Sequence, residues 1–134
     1  MSSKKIRRPP IILGRTDADR IASLATKMEA SNPELADLLL GEIERADVRD
    51  DKKVPASTVG MQSIVEFLDE ARGSTRSVQL VYPPDADIAA GRISVLTPVG
   101  AGLIGLSIGQ SITWPDRGGK ERLLRILKVD KPAA

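Results

Sequence analysis

Carboxylates are the side chains best able to do chemistry in this chain. Glu34 and Asp37 are three residues apart, which places them on one face of any helix that holds them both, and Glu29 lies just across a turn. Three such acids could hold a Mg²⁺ that keeps several of its waters. A plainer account competes with this one. Asn32 and Pro33 are good opening residues for a helix, so Glu34 falls in a first turn, where negative charge suits the helix dipole. The plainer account carries more weight, and no metal or other cofactor is expected. A second candidate is Gly100-Ala101-Gly102-Leu103-Ile104-Gly105, which formally fits the glycine fingerprint that brings backbone against a pyrophosphate. The next strand is due by about Gln110, too soon for a βαβ crossover, and no acid follows at the required spacing. Close helix packing is the expected role of these glycines. Lys4, Lys5, Arg7 and Arg8 could touch a phosphate backbone, but a short basic tail is more often simply solvated.

Composition removes many other designs. Among 134 residues there is no cysteine and no histidine, so disulfides, thiolate nucleophiles, Cys/His zinc sites and the side chain that titrates nearest neutral pH are all absent. No catalytic residue is assigned and an enzyme is not expected. The net charge is +2, unevenly placed: residues 1–8 carry four bases, whereas residues 9–51 carry ten acids against five bases. With Trp114, Tyr82 and Phe67 as the whole aromatic complement, surfaces for stacking bases are scarce. Nucleic acid is therefore expected only indirectly. The N-terminus is basic but has no apolar segment of the kind that directs export, which makes the cytoplasm the expected location. Residues 93–115 carry no charge, yet serine, threonine, proline and glycine interrupt them, so they read as buried core of a soluble protein and not as a membrane span.

The elements that must position these residues follow from hydrophobic period. Thr16-Asp17-Ala18-Asp19 has the pattern of a helix start, with Thr16 as cap, and Ile21, Leu24, Ala25 and Met28 recur at helical spacing. Ser31-Asn32-Pro33 ends that helix, predicted at about residues 17–30, and Asn32 caps the next. Leu35, Leu38, Leu39, Ile43 and Ala46 form the second stripe. Two antiparallel helices of about 21 Å each are expected, at ~1.5 Å per residue, each covering the other's stripe. Residues 50–57, charged and containing Pro55, read as a linker. Beyond them the period falls to two: Val59, Met61, Val65 and Phe67, then Val78, Leu80 and Tyr82 after the Arg72-Gly73-Ser74 turn, then a short strand at residues 93–96. Pro98 opens a helix to about Leu106, Ile112 and Trp114 mark a fourth strand, and Leu123, Arg125, Leu127 and Val129 a fifth beyond Gly118-Gly119. The expected class is α+β: an N-terminal antiparallel helical hairpin, or short coiled coil, followed by an antiparallel sheet with one covering helix. The boundaries are a basic tail and lead-in at 1–14, the hairpin at 15–49, the linker at 50–57, the sheet module at 58–130 and a tail at 131–134.

From Gly91 to Trp114 the chain reads Gly-Arg-Ile-Ser-Val-Leu-Thr-Pro-Val-Gly-Ala-Gly-Leu-Ile-Gly-Leu-Ser-Ile-Gly-Gln-Ser-Ile-Thr-Trp. This resembles the C-terminal domain of Gre-type transcription elongation factors, which carry an I-S-x-x-(S/T)-P-(L/V)-G run, a short helix ending L-(L/I)-G, and G-(D/Q)-x-(V/I) before a strand. Leu80-Val81-Tyr82-Pro83-Pro84-Asp85-Ala86-Asp87 resembles their apolar strand and acidic turn. Within that superfamily the wording Leu-Val-Tyr-Pro, Pro-Val-Gly-Ala, Leu-Gly-Leu and Ile-Thr-Trp, together with the short hairpin, is most similar to the Rnk family. The resemblance covers about residues 59–128 and implies an FKBP-like fold for the C-terminal module.

It also implies a function. Gre-type factors lodge this domain at the rim of the RNA polymerase secondary channel and insert a long hairpin, whose tip acids bring Mg²⁺ to the active centre for cleavage of backtracked RNA. Here the D-x-x-E-N-x-E-Y tip signature is missing, and the tip residues are Glu29, Asn32, Glu34 and Asp37. The implied activity is therefore transcription regulation by occupancy: a monomer that docks on bacterial RNA polymerase and competes with Gre factors without stimulating cleavage. Matching the docking loop residue by residue points to Ser94, Thr97, Pro98, Val99 and Gly100, with Asp85 and Asp87 nearby. Three alternatives remain open. One is a Gre-like cleavage factor using the tip acids, a second is a prolyl isomerase suggested by the FKBP-like fold, and the third is direct control of nucleoside diphosphate kinase.

Overall fold

The computed structural model describes residues 9–70, 72–115 and 120–131. The basic tail at Lys4–Arg8 and the expected Gly118-Gly119 turn lie outside the described residues. The chain order is β1 (Ile12–Gly14), α1 (Arg15–Lys27), α2 (Pro33–Arg45), β2 (Asp47–Arg49), β3 (Ile64–Asp69), β4 (Ser74–Val81), β5 (Arg92–Ser94), α3 (Pro98–Leu103), β6 (Ser111–Pro115) and β7 (Glu121–Asp130). This is the expected α+β class, with two N-terminal helices and a curled, largely antiparallel sheet.

The hairpin is built from the two stripes read in the sequence. Ala18, Ile21 and Ala25 of α1 and Leu35, Ala36 and Leu39 of α2 are buried. Asn32 caps α2 as expected, its side-chain oxygen accepting from the Leu35 N–H at 3.3 Å, and Pro33 is the first helical residue. The start of α1 differs from expectation. Thr16 is not the cap; the helix begins at Arg15 with Gly14 as N-cap, and no local side chain serves the first turn. The missing acceptor comes from Asp51, 35 residues away. Its Oδ1 accepts the Thr16 N–H at 3.0 Å while its Oδ2 accepts the Thr16 hydroxyl. The stretch expected to be only a linker thus closes a helix end.

The expected lead-in also contains structure. Ile12, Leu13 and Gly14 of β1 pair in parallel with Asp47, Val48 and Arg49 of β2, and Ile11 and Leu13 are buried. Strands of three residues are too short to show a period, which is why this ribbon was not foreseen. Below it, Glu42 is buried at 2% exposure and meets Arg45 through two bonds of 2.8 Å, and Arg45 also donates to the Pro9 carbonyl.

The five-stranded sheet has the order β5-β4-β3-β7-β6, antiparallel throughout except for the β4–β5 pair, which is parallel. Residues 82–91 carry the chain back along β4 in two short 3₁₀ turns before β5 begins, and that return makes the pair parallel. Two strand readings need correction. Val59 and Met61 lie outside β3, because Gln62 takes a left-handed φ of 73° and the strand starts at Ile64. In β7 the inward residues are Leu124, Ile126 and Val129, whereas Leu127 is 40% exposed. Phe67 pairs with Ile126 and Glu66 with Lys128, so Leu127 is an extra, bulged residue that shifts the phase.

The uncharged stretch from Ile93 is core as expected. Val95, Ala101, Leu103, Ile104, Leu106 and Ile112 are fully buried, and among the described residues no helix is long and apolar enough to cross a membrane. These side chains join Ile11, Leu13, Ile21, Leu39, Val65 and Phe67 in one cluster, so hairpin and sheet share a core.

Candidate functional site

The turn between β5 and α3 is held by its own hydroxyls. The Ser94 Oγ accepts the Leu96 N–H at 2.9 Å. The Thr97 hydroxyl donates to the Ser94 carbonyl at 2.8 Å and accepts the Gly100 N–H at 3.1 Å, which makes Thr97 the N-cap of α3 with Pro98 next. The glycines of this segment pack closely, as expected. A Cβ on Gly100 would overlap the Ser94 carbonyl, and one on Gly102 would stand 2.9 Å from the Trp114 ring. Gly105 has a φ of +84° and lies against Ile11. Gly100 is itself buried, so it shapes the turn from within and offers no surface.

Ser94, Thr97, Pro98 and Val99 line a groove of about 380 Å³ together with Ile88, Ile93, Arg76, Arg92 and Arg122. Asp85 and Asp87 stand exposed on the turn beside it and do not line it. Arg92 holds that turn in place: its Nε donates to the Asp85 carbonyl at 3.0 Å and its guanidinium meets the Asp87 carboxylate at 3.6 Å. The groove has no aromatic side chain in its lining, so it lacks the wall that the prolyl isomerase alternative requires. Four of its residues, Arg76, Ile88, Arg92 and Arg122, were not singled out from sequence. Arg76 carried a usable signal, since it falls in the inward phase of β4 with Val78 and Leu80. Ile88, 82% exposed in a short turn, had no period to reveal it.

The hairpin tip is chemically simple. Glu29, Asn32, Glu34 and Asp37 are all exposed. The turn is held by the Met28 carbonyl, which accepts the Ser31 N–H at 3.1 Å and the Asn32 N–H at 2.8 Å. Among the described residues no three acidic side chains form a group able to hold a metal ion.

A second crevice, of about 290 Å³, lies where α1 meets the sheet. Its polar groups satisfy one another. Asp17 accepts the Met61 N–H at 3.1 Å and the Tyr82 hydroxyl at 3.2 Å, and Arg20 stacks 3.9 Å above the Tyr82 ring. Lys131 donates to the Thr58 carbonyl at 2.7 Å and to the Ser63 hydroxyl at 2.8 Å. Burial, with Asp17 nearby, pushes the Tyr82 phenol well above its ordinary range. Burial also lowers the Lys131 ammonium, partly offset by Asp17, while the Thr16 hydroxyl and then its N–H lower Asp51. The crevice is a joint between hairpin and sheet.

Comparison with known proteins agrees with this division. Residues 54–131 match the family described as "Transcription elongation factor, GreA/GreB, C-term", and residues 9–48 match "Rnk N-terminus". The "Regulator of nucleoside diphosphate kinase" of Escherichia coli (strain K12) is 36% identical over 123 residues, covering 92% of this chain and 90% of that protein. The "Transcription elongation factor GreA" of Rhodospirillum rubrum is 33% identical over 128 residues, covering 90% of this chain and 82% of that one. Among solved structures, "Prokaryotic transcription elongation factor GreA/GreB from Nitrosomonas europaea" aligns with a TM-score of 0.70 at 36% identity, over 92% of this chain and 99% of that chain. The fold and these matches define a Gre-type transcription factor module carried behind a short helical hairpin. The chain belongs to the Rnk family within the GreA/GreB superfamily.

Proposed function

We propose that this protein is a monomeric, cytoplasmic regulator, without catalytic activity of its own, that binds bacterial RNA polymerase at the rim of the secondary channel. It competes there with Gre factors and does not stimulate transcript cleavage. In this reading residues 58–130 are the docking module, with Ser94, Thr97, Pro98 and Val99 facing polymerase, Asp85 and Asp87 at the edge, and Gly100 shaping the turn. Residues 15–49 are the arm, joined through residues 50–57.

The observation that carries the absence of cleavage is the arm itself. Its helices have 13 residues each, about 20 Å at ~1.5 Å per residue, and Glu29, Glu34 and Asp37 stand apart at its tip. Such an arm fills an entrance without delivering a metal. Docking is supported by family membership and by the preformed turn around Thr97, which is ordered before any partner arrives.

The test is to mix the full chain with polymerase and a backtracked elongation complex and to follow co-elution and RNA release, alone and against a Gre factor. Co-elution without release, together with loss of Gre-stimulated cleavage, is expected. Release that disappears in Glu34→Ala would instead establish a cleavage factor, and absence of co-elution would end both readings.

A further inference from the structure

The groove beside α3 has two features that docking of the turn alone does not use. Its floor and wall are apolar, from Ile88, Ile93, Pro98 and Val99, while its charged lining consists of arginines with no carboxylate among them. Ile88 is 82% exposed, an unusual position for a large aliphatic side chain in a short turn. Arg76 is exposed at the mouth, continuing the inward row of Leu80 and Val78 past the point where the core ends, with its guanidinium 5.8 Å from the Phe67 ring centre.

The second feature is a sheet edge. β5 pairs with β4 only at Gln79, Leu80 and Val81. Among the described residues no strand covers Ser74 to Val78 on the side away from β3. Gln79 donates its N–H across that side to the Gly91 carbonyl at 2.8 Å. By the two-residue alternation of a strand, Ser77 and Thr75 direct their backbone N–H and C=O groups to the same side, where Gly91 stands near the Ser77 carbonyl. An uncovered edge next to an apolar slot is the arrangement by which extended peptides are recognised, with main-chain bonds giving affinity and alternate side chains giving specificity.

We infer that this groove captures an extended peptide segment of a partner protein, in which an apolar side chain is flanked by carboxylates. The segment adds as a strand along Ser74–Ser77 of β4. Its apolar side chain enters the slot between Ile88 and Val99, and a flanking carboxylate meets Arg76 at the mouth. Arg76 sets the charge of the occupant at the mouth, because Arg92 is held by Asp87 and Arg122 by Asp69. Arg122, also in the lining, is already engaged by the buried Asp69. This inference does not rest on the polymerase reading, but it uses Pro98 and Val99 as that reading does, so the two occupants would compete for this face.

The experiment uses the full chain and a fluorescein-labelled, acetylated and amidated peptide in which Asp alternates with Val and Leu, read by fluorescence polarisation. Saturable binding is expected. The same peptide with Lys for Asp, and the peptide methylated on alternate backbone nitrogens, should each bind at least about tenfold more weakly. Arg76→Glu and Ile88→Asp, both at exposed positions, should weaken binding by about tenfold with unchanged circular dichroism. Lack of saturable binding, equal binding of the lysine or methylated peptide, or indifference to both variants would each overturn the inference. Loss of peptide binding only because the chain self-associates through Ile88 would overturn it in favour of a second copy. Co-elution with polymerase, run in parallel, keeps the readings apart: polymerase binding without peptide binding removes this inference alone, and the converse removes only the polymerase reading.

Discussion

At its root the helical hairpin is hydrogen-bonded to the rest of the molecule from several directions, whereas at its tip, among the described residues, the hydrogen bonds stay within the hairpin and only Met28 and Leu35 reach the core. Asp17 reaches the Met61 amide and the Tyr82 hydroxyl, Thr16 is capped by Asp51, Arg45 donates to the Pro9 carbonyl, and Leu39 is fully buried in the shared core. At the tip, Glu29, Glu34 and Asp37 face water, and Asn32 uses its side chain to cap α2. The contrast separates direction from chemistry. An arm rooted this firmly has a fixed aim relative to the sheet, while in the proposed function its end needs only to occupy space. In an arm meant to carry a metal the polar organisation would lie at the tip, because ligands must be held in place before the ion arrives.

The largest test of that contrast is Leu39→Ala. It removes a fully buried side chain from the place where hairpin and sheet share a core, and a cost of about 2–5 kcal/mol is expected for such a truncation. Chemical denaturation should record a lower midpoint for both helix and sheet signals together. Loss of helix alone would show that the hairpin melts as a separate unit and that the shared core is weaker than its burial suggests.

Next comes Asp17→Ala. It leaves the Met61 N–H and the Tyr82 hydroxyl without their acceptor, at a cost of roughly 1–3 kcal/mol for partly buried groups. The more telling readout is orientation: a spin-label distance between the hairpin tip and α3 should broaden in this variant and stay narrow in the parent. An equally narrow distribution in both would mean that the apolar core alone sets the aim of the arm. At the tip, Asn32→Ala should cost about 1 kcal/mol through the lost cap of α2. It should leave the position of the root untouched, as measured by hydrogen exchange at Leu39 and Ile21.

Much of the frame could be read from residue order, and the parts that could not share a physical cause. Val65, Phe67, Val78 and Leu80 alternate, and Ile21, Ala25, Leu35 and Leu39 recur at helical spacing, because each faces a core that the element's own period keeps in register. The Thr97-Pro98 start of α3 and the packing role of Gly100 and Gly102 were likewise local. What escaped was nonlocal. The cap of α1 comes from Asp51, the β1–β2 ribbon joins segments 35 residues apart, and the bulge at Leu127 reverses which residues of β7 face inward. The groove was half legible: Ser94, Thr97, Pro98 and Val99 came from the resemblance and Arg76 lay in the inward phase of β4, but Arg92 reaches it only because β4 and β5 run parallel.

The smallest expected effect concerns pH. Burial and the nearby Asp17 hold the Tyr82 phenol protonated above its ordinary value near 10. In the unfolded chain that proton leaves near pH 10, so above this point the unfolded state binds fewer protons than the folded one, and stability falls as pH rises. Lys131, lowered by burial, acts in the opposite direction between its lowered value and 10.5, because there the unfolded chain keeps a proton that the folded one has released. Comparing the parent with Tyr82→Phe cancels the lysine contribution, since Lys131 is present in both. Denaturation midpoints taken at pH 9 and pH 11 should show the parent losing stability relative to the phenylalanine variant. Parallel curves would mean that the phenol ionises as readily in the fold as outside it, and would move Tyr82 from the joint to the surface of the root.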